Sequence, residues 1–205
     1  MPQSAGRPKG VTDARAQLIQ AARRLFVAKP YDKVSIRCLA QVAGVNSALI
    51  RYYFADKSGL FEAMLRETAQ PFLKQFQALP DSPEPETVVE LMRTYYRIMG
   101  ANPDLPRLIA RVMMEHEQGL QRQIVEKIIG PIAMRMEKVF FTHPGRLRFH
   151  TSPEKARLSF LSLMIFPFLA PPALLELQGI RLSPEFLDEL AEHNIQVLKQ
   201  GLLAP

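Results

Sequence analysis

Arg51, Tyr52 and Tyr53 stand in a row between Leu49-Ile50 and Phe54. A helix from Ala48 to Phe54 then has one apolar face and one face carrying a guanidinium and two phenols. The chemistry of that second face is hydrogen-bond donation, and a DNA major groove offers acceptors to such a helix on base edges and phosphates. The residues just before supply a partner. Ser35 can cap a helix whose Ile36, Leu39, Ala40 and Ala43 recur at three- and four-residue spacing. Gly44 accepts the positive φ that ends it, Val45 fills the corner, and Asn46 or Ser47 can cap the helix that follows. The pattern over Ser35 to Phe61 predicts a helix-turn-helix.

Charge follows the same division of the chain. Residues 1–57 hold ten Lys or Arg against three Asp, whereas the remaining 148 residues hold sixteen basic and seventeen acidic side chains. The net charge of +6 is thus concentrated in the first quarter, as a polyanion partner requires. Gly6-Arg7-Pro8-Lys9-Gly10 forms a short basic arm by composition, and Arg7 and Lys9 suit a narrow minor groove. Its bland alternative is a solubilising tail.

Bond-making chemistry finds little to work with. The four His residues, His116, His143, His150 and His193, lie far apart, and no pair has the i, i+4 spacing of a helical metal site. There is no phosphate-cradling glycine loop and no Gly-x-Ser-x-Gly elbow. No enzyme activity, metal or cofactor is expected. A single cysteine, Cys38, excludes an internal disulfide and fits a reducing cytoplasm. The first ten residues have no apolar run of the kind a signal peptide needs. Leu158 to Leu175 is free of charge, but Pro167, Pro171 and Pro172 would leave backbone carbonyls unpaired in lipid, so a buried or interfacial helix is expected there instead of a membrane span.

The positioning elements read as helices throughout. The first runs from Thr12 to about Ala28, with Leu18, Ala22, Leu25 and Phe26 as its core stripe, and ends before Pro30. Ser58 can cap a fourth helix, kinked at Pro71, that links two units. After the proline-rich loop 79–86, helices are expected over Thr87 to Gly100, Leu105 to Glu117, Leu120 to Phe141, Pro153 to Leu169 and Pro184 to Leu202. Ser152-Pro153-Glu154 and Ser183-Pro184-Glu185 are matching start signals. No stretch alternates like a strand. The expected fold is all-α: a basic arm and three-helix DNA-binding domain over 1–57, then a larger helical domain over 58–205.

Residues 13–65 resemble the TetR family of bacterial one-component regulators. The resemblance lies in Tyr52-Tyr53-Phe54-Ala55-Asp56-Lys57-Ser58-Gly59-Leu60-Phe61, in Ala21-Ala22-Arg23-Arg24-Leu25-Phe26 and in Val34-Ser35-Ile36-Arg37. Arg51 stands where the family commonly has Tyr. The resemblance implies that Ser35 and Arg37 hold phosphates from the second helix and Tyr53 and Lys57 from the recognition helix. Ser47, Ala48, Leu49 and Arg51 would then face bases, with Tyr52 beside them. It further implies a homodimer whose last two long helices pack against their partners, for which Leu163, Leu187, Leu190 and Leu198 are the expected contacts.

The helices after residue 86 carry Met and aromatic residues suited to a pliable pocket, or equally to an ordinary core. Tyr95, Tyr96, Met99, Met113, Met114 and His116 are the expected contacts of a small, mainly apolar effector. Arg93, Arg97, Arg107 and Arg111 could pair with a carboxylate at its mouth, or simply be solvated. The whole reads as a cytoplasmic, homodimeric regulator of transcription, expected to repress from a pseudo-palindromic operator and to release it when the effector binds. A ligand-independent architectural DNA-binding protein is the alternative, and the long second half argues against it.

Overall fold

The computed structural model describes residues 10–78, 84–115, 119–142 and 149–202. Arg7, Lys9 and His116 lie outside them. The Ser35 hydroxyl accepts from the Cys38 amide and Gly44 takes φ 67°, so the second helix, α2, spans Ile36–Ala43 as its local signals require. α1 spans Gly10–Ala28, and a 3-10 turn over Tyr31–Lys33 leads from it into α2. α3 is Ala48–Phe54 and α4 is Lys57–Gln77. Then follow α5, Pro85–Ala101, α6, Asp104–Glu115, and α7, Leu120–Met136, which continues as a π-helical segment over Glu137–Thr142. α8 is Pro153–Leu169, α9 is Pro172–Leu177, and α10 is Pro184–Val197, extended by a π-helical segment over Leu198–Leu202. Among the described residues there is no strand.

One continuous core runs through both halves. In the first, Leu18, Ala22 and Phe26 of α1 meet Leu39 of α2, Ile50 and Phe54 of α3 and Leu60, Phe61 and Met64 of α4. α4 carries the core onward and packs on α7, while α5 packs on α10 and α8, and α6 touches α1, α7 and α8. Arg23 of α1 donates to the Thr68 hydroxyl of α4 (2.9 Å), and Arg15 pairs with Glu67 of the same helix. The larger half closes around one polar cluster. Pro167 has no N–H for the carbonyl of Leu163, one turn earlier in α8, which would be orphaned in the interior. The Tyr96 hydroxyl of α5 (2.7 Å) and the Asn194 amide of α10 (3.1 Å) both donate to that oxygen. Asn194 donates to the Tyr96 oxygen as well (2.6 Å), and burial pushes the Tyr96 phenol up to about 12.

Several expectations need correction. α4 is capped by Asp56, whose carboxylate accepts from the Gly59 amide, and begins one residue before Ser58. The charge-free run after Leu158 divides at Ala170-Pro171 into α8 and the unexpected α9. Leu187 and Leu198 are not at a free surface: they are 3% and 0% exposed, packed inside the protomer. Among the described residues no helix is long and apolar enough to cross a membrane.

Candidate nucleic-acid interface and apolar cavity

The recognition corner is built from the backbone outward. The Gly44 amide donates to the Gln41 carbonyl (3.2 Å) and the Val45 amide to that of Ala40 (3.0 Å), which closes α2 and turns the chain. Asn46 caps α3, its side-chain oxygen accepting from the Ala48 amide (2.8 Å), while Ser47 makes no cap bond. Buried Ile50 and Phe54 then seat α3 on the core. Its outer face presents Ser47, Ala48, Arg51 and Tyr52, all exposed, with Leu49 and Tyr53 half-buried at the edges. Ser35 and Arg37 are exposed on α2 beside it. The Tyr52 and Tyr53 rings meet edge-on at 4.9 Å. Among the described residues neither Arg37 nor Arg51 has a carboxylate partner, so both guanidinium groups face solvent with donors to offer.

The far end of α3 is a tight corner. Ala55 adopts φ 68° and ψ −49°, and the Asp56 amide donates back to the Phe54 carbonyl (2.8 Å), a strained γ-turn. Ser58 and the Gly59 amide both donate to Asp56, which holds its carboxyl below the usual carboxylate range. A Cβ at Gly59 would lie 2.0 Å from the Phe54 carbonyl oxygen. Only glycine fits.

Lys57 departs from the expected phosphate contact. Its ammonium donates to the carbonyls of Tyr31 and Val34 (3.1 Å each) and sits 4.0 Å from the Tyr31 ring centre. It ties α4 to the turn before α2, which leaves at most one N–H for a phosphate. The Tyr31 phenol is pushed up to about 12 by burial and then by the negative charges of Asp56 and Asp32. The sequence offered a signal for Asp56, a good capping residue three before Gly59. It offered none for the inward turn of Lys57.

Behind α4, a cavity of about 320 Å³ opens between α4, α5, α6, α7 and α8. Tyr95 and Met99, two of the expected effector contacts, line it, joined by Phe72, Ile109, Met136 and Met164. Tyr95 is the only described lining residue with a polar side chain, and burial raises its phenol above the ordinary range. Tyr96 belongs instead to the Leu163 cluster. Met113 and Met114 point outward, Met114 being 82% exposed. The four arginines also lie elsewhere. Arg93 pairs with Glu192 (2.6 Å), Arg97 lies near Glu90, Arg107 donates to the Ala170 carbonyl (3.2 Å), and Arg111 reaches α1. Among the described residues no cluster of His, Cys, Asp and Glu could hold a metal.

The sequence profile of bacterial regulatory proteins, tetR family, matches residues 18–64, which span this corner and the helices that hold it. The helix-turn-helix of this chain is thus similar to that of the TetR family. The HTH-type transcriptional repressor Rv1474c of Mycobacterium tuberculosis is 39% identical over 56 residues, covering 27% of this chain and 30% of that protein. The matched part therefore spans less than a third of that curated relative. Similarity of fold extends much further. NalD, the secondary repressor of the MexAB-OprM multidrug efflux pump in Pseudomonas aeruginosa, superposes with a TM-score of 0.64 at 19% identity, over 94% of this chain and 97% of that one. The transcriptional regulator FadR from Bacillus subtilis, solved in complex with stearoyl-CoA, does so with a TM-score of 0.63 at 13% identity, over 91% and 98%. The shared architecture is an N-terminal helix-turn-helix domain followed by a larger helical domain.

Proposed function

We propose that this chain is a homodimeric repressor of the TetR family that binds a pseudo-palindromic DNA operator through α3 and releases it when a small, uncharged, mainly apolar molecule enters the cavity behind α4. The observation that carries the reading is the pairing of an exposed donor face on α3 with a cavity whose described lining is apolar but for the Tyr95 phenol. Residues 1–57 form the DNA-reading part and 58–205 the ligand-binding and dimerising part, with α4 contributing to both. Ser35, Arg37 and Tyr53 hold phosphates, and Ser47, Ala48, Leu49, Arg51 and Tyr52 face the groove. Among the described lining residues none is charged, and an unpaired carboxylate against them would lose its hydration without recompense. FadR, a regulator of the same fold solved in complex with stearoyl-CoA, supports a ligand-responsive role.

The dimer face is supported by apolar side chains left at the surface. Leu158 and Phe166, two turns apart on α8, are 68% and 60% exposed, and Val197 on α10 is exposed as well. Leu163 and Leu190 are half-buried on the same two helices. Selection of duplexes from a random library by the purified chain tests the reading. A two-fold symmetric consensus is expected, and Arg51→Ala should relax the preference at one position per half-site, by about 1–3 kcal/mol if the contact to guanine is bidentate. Phe166→Asp should give monomers in sedimentation. No consensus, with no thermal shift from any neutral lipophile, would favour the architectural alternative.

A further inference from the structure

We propose that Arg111 is a positioning residue for DNA binding: from α6 it grips the carboxyl end of α1 and so sets the orientation of the helix-turn-helix on the rest of the protomer. The inference rests on the dimeric reading above, since orientation matters most where two reading helices must match two half-sites.

The last carbonyls of a helix have no partner within it. In α1 the Lys29 amide satisfies Leu25 (2.9 Å), but Pro30 follows and has no N–H to continue the series. Phe26, Val27 and Lys29 are left with free carbonyl oxygens, and α1 has no basic residue in its last turn. Arg111, more than 80 residues away in sequence, donates to all three: Nη1 to Val27 (3.0 Å), Nη2 to Phe26 and Nη2 to Lys29 (3.3 Å). A guanidinium at the negative end of a helix is favoured by charge, and its planar fork offers two nitrogens in fixed geometry where a lysine offers one.

What it holds is a joint. The Phe26 ring stacks on Tyr31 at 5.3 Å and meets Phe61 of α4 edge-on at 5.0 Å. The Tyr31 carbonyl is in turn the acceptor of Lys57. The end of α1, the turn before α2 and the first turns of α4 are therefore joined, and Arg111 is the side chain by which α6 grasps them through hydrogen bonds. Ile109 and Ala110, immediately before Arg111, line the cavity. A molecule that displaces α6 there displaces the grip.

The test needs no effector. An operator selected by the wild-type protein is rebuilt with its half-sites moved apart or together by single base pairs, and affinity is measured for each duplex and for a mixed-sequence duplex of equal length. Wild type should prefer one spacing sharply. Arg111→Gln should lose about tenfold on the selected operator, keep its affinity for mixed sequence within about twofold, and bind neighbouring spacings nearly as well as the original. Arg111→Lys should fall between the two, and it carries the test if Arg111→Gln fails to fold. Loss of stability alone would lower binding to all duplexes together and leave the spacing preference intact. An unchanged sharp preference in both variants overturns the role of Arg111. No preference in the wild type overturns the dimeric reading, and this inference with it.

Discussion

Both halves rest on apolar packing, but the corners of the helix-turn-helix are shaped by polar contacts between near neighbours in sequence, whereas the polar contacts that tie the larger helices to one another and to α1 cross long stretches of chain. Ser35 to Cys38, Asn46 to Ala48 and Asp56 to Gly59 are all separated by three residues or fewer. Tyr96 to Leu163, Asn194 to Tyr96 and Arg111 to Phe26 are separated by 67, 98 and 85. The comparisons follow the same division, since the 39% identity is confined to 56 residues while fold similarity covers nearly the whole chain at 13–19%. A surface that must fit a groove of fixed shape depends on local geometry, and a cavity can be walled by many apolar side chains.

The largest expected effect falls on the first region. Gly59→Ala would drive a methyl into the Phe54 carbonyl and force the α3–α4 corner apart. A loss of about 3 kcal/mol or more is expected by thermal unfolding. Hydrogen exchange should show the loss concentrated in α3 and the start of α4, and equal loosening of α5 and α10 would break the contrast drawn above. Next is Asn194→Leu, which leaves the Leu163 carbonyl to the Tyr96 hydroxyl alone. It should cost about 1–3 kcal/mol, with mixed-sequence DNA affinity retained at temperatures where the variant is folded. A selective loss of DNA binding would mean that the polar cluster also supports the reading head.

A smaller change is expected from Ala110→Leu, which extends into the cavity. Stability should move by no more than about 1 kcal/mol, while any neutral lipophile that raises the melting temperature of the wild type should lose its effect. Retained ligand stabilisation would place the effector elsewhere. The smallest effect is a pH dependence. The Asp56 carboxyl is lowered by its bonds from Ser58 and the Gly59 amide, so its contribution is complete above the unfolded carboxylate value of about 4 and is lost as pH falls through the lower folded value. Asp56→Asn can accept from the same amide without titrating. The acid-side slope of stability should flatten in that variant, and an unaltered slope would show that other carboxylates, such as Glu62 and Glu192, carry it.

Sequence by itself determined the bounds of α2, α3 and α8, the Ser35 and Ser183 caps, the αL turn at Gly44 and the all-helical fold. Each depends on residues three or four apart, or on proline and glycine chemistry within one turn, and such interactions are legible in any short window. Tertiary structure alone decided against what each apolar face is buried. It put Leu187 and Leu198 inside the protomer and left Leu158 and Phe166 outside, because periodicity marks a face without naming its partner. It turned Lys57 inward onto carbonyls, sent Arg111 to the end of α1, and chose Tyr95 over Tyr96 for the cavity wall. Those assignments depend on how whole helices lie across one another, and that geometry is set by packing between segments far apart in the chain.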